Sequence, residues 1–221
     1  MSVADKLTQI AQNMQAVYEA GKAAGGGASV PNPFEYAKNL AAMYAEAVFP
    51  DGYELTVNAP NFTSSMAMFA DSVKGLRKIT MNVPTNMEHT AYYFGRNNSC
   101  IEEVVFPDGI VFKSANYMFN SATALRSIYG AMDVSKLTND NMWGGCTALE
   151  DITFIPGTIG ASLTFKHSSL LTDASIQSII DGLADVTAGD TQQLTLHATV
   201  GAKLTEAQKA VITAKNWTLV Y

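Results

Sequence analysis

The chain has 221 residues, 48% of them hydrophobic, so it can bury a core and wholesale disorder is excluded. Its 14 Lys and Arg stand against 20 Asp and Glu, for a net charge of −6. That balance excludes a nucleic-acid backbone or an anionic membrane surface as partner, because both reward a basic stripe.

Residues 1–24 read as a helix, with Ser2 as N-cap. Val3, Leu7, Ile10, Met14 and Val17 follow at steps of 4, 3, 4 and 3, the heptad seam of a coiled coil. So short a helix is marginal alone in water, which predicts oligomerisation through it or docking into a partner. Residues 25–31, with Gly25, Gly26 and Gly27, form a flexible hinge. Residues 32–61 are a helical N-terminal cap. Asn32 caps its helix, Pro33 takes the first helical position, and the helix ends at Phe49-Pro50-Asp51-Gly52. A strand-like run from Tyr53 to Val57 comes after that turn.

Residues 62–171 repeat one short unit. Phe69, Phe94, Phe119 and Trp143 recur at steps of 25, 25 and 24. Each is followed by an aliphatic pair three residues apart: Leu76 with Ile79, Ile101 with Val104, Leu125 with Ile128, and Leu149 with Ile152. A fixed period in the twenties is the signature of a solenoid, and predicts that the four aromatics stack in one buried column. The expected fold is therefore α+β: a leucine-rich-repeat-like solenoid of about four 24–25-residue coils. Residues 172–221 change pattern and form a helix–strand–helix–strand cap. Thr172 opens its first helix, Gln192 to His197 alternates as a strand, Thr205 and Gln208 frame a capping box, and Trp217 to Tyr221 is the last strand.

No catalytic constellation emerges. His89, His167 and His197 have no ligand spacing to one another or to Cys100 and Cys146. No cofactor, metal or enzyme activity is expected. Nor is a membrane insertion, since no run of about 18 apolar residues occurs. No secretory signal is read at the N-terminus, where Gln9, Gln12 and Asn13 stand in place of an apolar core. What recurs instead is a polar row between the paired aliphatics: Arg77, Lys78, Glu102, Glu103, Arg126, Ser127, Glu150 and Asp151. Solenoids use such rows as extended binding faces, and mixed charge suits protein or glycan rather than nucleic acid.

The run from Met142-Trp143 through Cys146, Leu149 and Ile152 resembles the BspA-type leucine-rich repeat, as does Met118-Phe119 through Leu125 and Ile128. The opening Ser2-Val3-Ala4-Asp5-Lys6-Leu7 and the ending Leu204-Thr205-Glu206 through Trp217-Thr218 resemble the termini of structural proteins of tailed bacteriophages and prophages. The resemblance implies a virion protein of tail, baseplate or fibre, made in the host cytoplasm. It would be held to other virion proteins, or to itself, by the first helix. Its repeat face would meet a host surface protein or glycan. A bacterial cell-surface repeat adhesin is the alternative.

Overall fold

The computed structural model describes residues 52–62, 65–138 and 141–221. The helix carrying Val3, Leu7, Ile10, Met14 and Val17, the glycine hinge, and the helical cap up to residue 51 lie outside the described residues. Tyr53–Asn58 forms strand β1. There follow β2 (Leu76–Asn82), β3 (Glu88–Thr90), β4 (Glu103–Val105), β5 (Ile110–Ser114), β6 (Ser127–Asp133), β7 (Asp151–Phe154) and β8 (Leu163–Phe165). Helix α1 (Asp173–Gly182), β9 (Gln192–Leu196), α2 (Ala198–Gly201), α3 (Glu206–Ala214) and β10 (Trp217–Val220) complete the order.

The aliphatic residues explain the register. Leu55 pairs with Ile79, Ile79 with Val104, Val104 with Ile128, and Ile128 with Ile152, all in parallel. Ile79, Val104, Ile128 and Ile152 are buried, so each strand turns the same side chain into one core. The segments between strands stack in the same register. Met66, Met68, Ala70 and Ser72 donate their amides to the carbonyls of Thr90, Tyr92, Phe94 and Arg96 at 2.7–3.0 Å. Ala91, Tyr93, Gly95 and Asn97 donate in turn to Ser114, Asn116, Met118 and Asn120. These connections thereby satisfy their backbone without helices.

The expected leucine-rich-repeat solenoid is not what the chain builds. Its strands join in a curled half-barrel, mostly parallel and with few helices, which is an α/β arrangement. The order is β1-β2-β4-β6-β5-β3, with β7 also bonded to β6. The cause lies in β6. Its first half pairs with β4 and its end, at Met132 and Asp133, pairs with β5. Two series of strands that separate coils would keep apart are fused there into one sheet. β6 turns this corner at Gly130, whose φ is +92°. No helix separates β1 to β8 among the described residues, whereas β8, β9 and β10 are linked by helical crossovers into a second parallel sheet.

The aromatic column also differs. Phe69 stacks on Phe94 with ring centroids 5.7 Å apart, and Phe94 meets Phe119 edge-on at 5.8 Å. Trp143 instead stacks on Phe165 of β8 at 4.9 Å and abuts Phe154 of β7 at 5.7 Å. It thus ties the larger sheet to the smaller. Phe69 is only half-buried.

At its far side the larger sheet ends on a helix. Thr172 caps α1, accepting from the Ser175 amide. Ser175 and Ser178 of α1 accept the amides of Ile152 and Phe154 at 3.0 and 2.9 Å. The Lys215 ammonium closes the other end of α1, donating to the carbonyls of Ile180 and Leu183 at 3.1 and 2.6 Å. Helix α3 opens with the Thr205–Gln208 capping box and buries Ile212, while Ala207 and Val211 stay exposed.

Gly130 gives the sharpest test of this fold. A Cβ there would run into the Phe106 carbonyl oxygen, which is backbone and cannot step aside. Left-handed strain adds to that clash. Gly130→Ala is expected to lower the unfolding free energy by about 2 kcal/mol or more in urea titrations. Trp143→Ala, which empties the junction of the two sheets, is expected to cost about 3–5 kcal/mol in the same titrations.

Candidate functional site

Between buried Leu76 and Ile79 the chain passes two consecutive polar residues, Arg77 and Lys78. Glu102 and Glu103 stand likewise between Ile101 and Val104, Arg126 and Ser127 between Leu125 and Ile128, and Glu150 and Asp151 between Leu149 and Ile152. Simple strand alternation would turn one member of each pair inward. The alternation is broken by shared acceptors. The Glu102 carbonyl takes the amides of both Arg126 and Ser127, at 2.8 and 3.1 Å. The Arg126 carbonyl takes those of Glu150 and Asp151, at 2.8 and 2.9 Å. Each such carbonyl holds two successive residues of the next strand on the same side.

Register then brings all eight residues into one strip. Lys78 faces Glu103, Glu103 faces Ser127, and Ser127 faces Asp151. The strands alternate in sign: basic at Arg77 and Lys78, acidic at Glu102 and Glu103, basic at Arg126, acidic at Glu150 and Asp151. The charges consequently pair with one another. Arg77 bridges Glu54 of β1, and reaches Glu102 at 3.7 Å. Lys78 meets Glu103 at 2.8 Å, a hydrogen bond that holds its ammonium above the usual lysine range. Arg126 meets Glu150 at 3.4 Å. Exposed pairs of this kind are individually weak, but like charges meet if a strand is exchanged for its neighbour. Ser127 departs from the exposed row expected of it. It is buried, and its hydroxyl donates to the Asp151 carboxylate at 3.1 Å.

The same register makes a second outward column, which the sequence reading missed. Thr56, Thr80, Val105 and Tyr129 pair in succession, and Tyr129 is 46% exposed. They follow the charged positions by two residues, so the strand period applied to each repeat was the signal that could have found them. Charged ladder and Thr–Val–Tyr column together form one largely polar face with the Tyr129 ring exposed on it.

Among the described residues, no group of three or more His, Cys, Asp and Glu could hold a metal ion. Cys100 and Cys146 are free thiols. Cys146 donates to the Phe119 carbonyl at 3.1 Å, and burial pushes its pKa up to about 12, which removes its thiolate reactivity. The hollow beside Asp173, Lys203 and Thr205 holds about 200 Å³, below the size of ordinary ligand pockets. No helix among the described residues is long and apolar enough to cross a membrane.

No protein-family model, curated protein or solved structure matches the chain.

One buried histidine makes the structure sensitive to pH. His89 is fully buried and stacks on Phe62 at 5.6 Å. Its Nε2 donates to the Pro84 carbonyl at 2.6 Å, which leaves Nδ1 unprotonated and without a partner among the described residues. Desolvation holds its pKa below 6.5, against the smaller opposing effect of the Pro84 bond. The unfolded chain therefore takes up this proton at higher pH than the folded one. The stability contributed by neutral His89 is present above pH 6.5 and is lost as pH falls below it, at no more than about 1.4 kcal/mol per pH unit. Urea unfolding at pH 5 and pH 7.5 is expected to show this loss in the native chain. In His89→Phe the loss is expected to shrink to what the carboxylates contribute.

Proposed function

We propose that the chain is a structural protein of a phage particle, part of its tail, baseplate or fibre. In this reading the curled sheet presents its charged face to a protein neighbour or to a host receptor. One observation carries it: the ladder of alternating charges from Glu54 to Asp151, running beside the Thr56–Thr80–Val105–Tyr129 column. Charges already paired within the protein are held in place before any partner arrives. A partner then meets a fixed pattern of both signs at low ordering cost, and such a pattern selects by complementarity rather than by net attraction. The first helix, with its seam of Leu7, Ile10, Met14 and Val17, is the proposed anchor to other virion proteins or to a second copy. The resemblance of both termini to phage structural proteins supports the location.

Two measurements test this. Mass spectrometry of particles induced from the genome that encodes the chain is expected to find it in the purified virion. Recovery in the bacterial envelope and not in particles would overturn the virion reading and favour the surface adhesin. The face is tested by inverting its outer ladder: Glu54→Arg, Arg77→Glu, Glu102→Arg, Arg126→Glu and Glu150→Arg together. Every ion pair within that ladder is kept with its sign exchanged, so the thermal midpoint is expected to move by only a few degrees. The purified native chain is expected to compete with particle adsorption or assembly, and the inverted chain to lose that competition. Equal competition by both would remove the face from the function.

A further inference from the structure

A separate cluster of side chains lies on the connections rather than on the strands. These connections carry two columns of left-handed backbone. One is Ser72, Asn97, Ser121 and Gly145, with φ between +55° and +80°. Those are the small, polar or glycine residues that such a conformation admits at least cost. The other is Met68, Tyr93 and Tyr117, with φ of +59°, +57° and +53°. Bulky side chains in that region are true outliers, and nothing in the backbone course asks for them. Burial does not ask for them either. Met68 and Tyr117 are each 37% exposed, and Tyr92, set edge-on to Tyr93 at 5.5 Å, is 36% exposed.

The cluster is nonetheless ordered. Tyr93 and Tyr117 stack at 5.7 Å with 26° between their planes. The Arg96 guanidinium lies 4.0 Å from the Tyr93 ring centroid. Two hydrogen bonds, of 3.1 and 2.8 Å, tie that guanidinium to Asp71 and hold it firmly charged. Among the described residues the stack stops at Tyr117. Connections bond in register from Phe119 to Met142 and from Ser121 to Gly144, which sets the small, exposed Asn141 where the next ring would stand.

We propose that this tyrosine stack is a binding site for a neutral glycan, with one sugar ring laid on Tyr117 in continuation of the stack. Three features select that ligand. The end of a ring stack offers an apolar flat surface for the C–H face of a sugar. The charged groups of the cluster, Asp71 and Arg96, lie against Tyr93 rather than Tyr117, and they pair with each other and cancel, so the cluster does not attract a phosphate or a sulfate. The patch is also small. Three side chains about one-third exposed fall far short of the ~800 Å² per partner of a stable protein interface, and suit one or two sugar rings. The site is distinct from the charged face and does not depend on the chain belonging to a particle.

The test is saturation-transfer NMR and array binding of the purified chain against neutral oligosaccharides of hexoses and N-acetylhexosamines, with sialylated and sulfated oligosaccharides alongside. The native chain is expected to bind members of the neutral set, with saturation strongest on the C–H protons of one ring. Tyr117→Asn keeps a residue tolerant of left-handed backbone, so it is expected to fold as well as the native chain while binding weakens about tenfold or more. Tyr117→Phe, which keeps the ring, is expected to retain most of the affinity. No binding to any neutral oligosaccharide, binding confined to the acidic ones, or equal binding by Tyr117→Asn would each overturn the proposal.

Discussion

The structure rests on backbone hydrogen bonds made between residues one repeat apart. In the larger sheet a strand finds its partners in a neighbouring repeat, and so does each stacked connection. Parallel strands cannot be closed by tight hairpins, and usually need a helical crossover to return the chain to the same edge. Here the returning segment is itself hydrogen-bonded to the segments beside it. The connection is thus a second layer of the sheet rather than a link between strands. Its left-handed positions follow from that demand, because it must turn twice within a few residues to bring alternate amides onto its neighbour.

From this one constraint the side chains take their places. A shared register puts Ile79, Val104, Ile128 and Ile152 into one core, and turns Lys78, Glu103 and Asp151 away from it. Successive repeats cannot all carry the same charge at such close spacing. The alternation of sign from strand to strand answers that repulsion and also opposes exchange of strands. The same spacing forces rings against rings within the core. Where the larger sheet passes to the smaller, Trp143 leaves the column and fills the gap between Phe154 and Phe165.

Much of this was legible in the sequence, and what was not has physical reasons. The paired aliphatics marked the strands through their recurrence at a period of 24–25 residues, which a stacked array requires. Thr172, Thr205 and Gln208 marked helix starts because capping is local chemistry. Topology was hidden in β6. A glycine within a strand reads as a weak position, and nothing nearby shows that Gly130 bends one strand into two neighbours. For the charged strip, the row was legible but not which charge meets which, nor that Ser127 is covered. Tyr93 and Tyr117 escaped notice because each lies within two residues of a core phenylalanine, and a positive φ cannot be read from Tyr. Met132 and Asp133 have no local mark of their pairing with β5 either.

The two serines of α1 have a consequence for how the protein can associate. A parallel sheet with a bare edge on each side can add a further copy at either, and such head-to-tail contacts run on without closing. At the β7 edge the amides of Ile152 and Phe154 are already taken by the hydroxyls of Ser175 and Ser178. Side-chain oxygens on a helix offer no onward row of donors and acceptors, so the hydrogen-bonding pattern is not passed to a next strand. Strand addition is therefore opposed at the β7 edge, and a fibre that needed to pass through that edge would stop there.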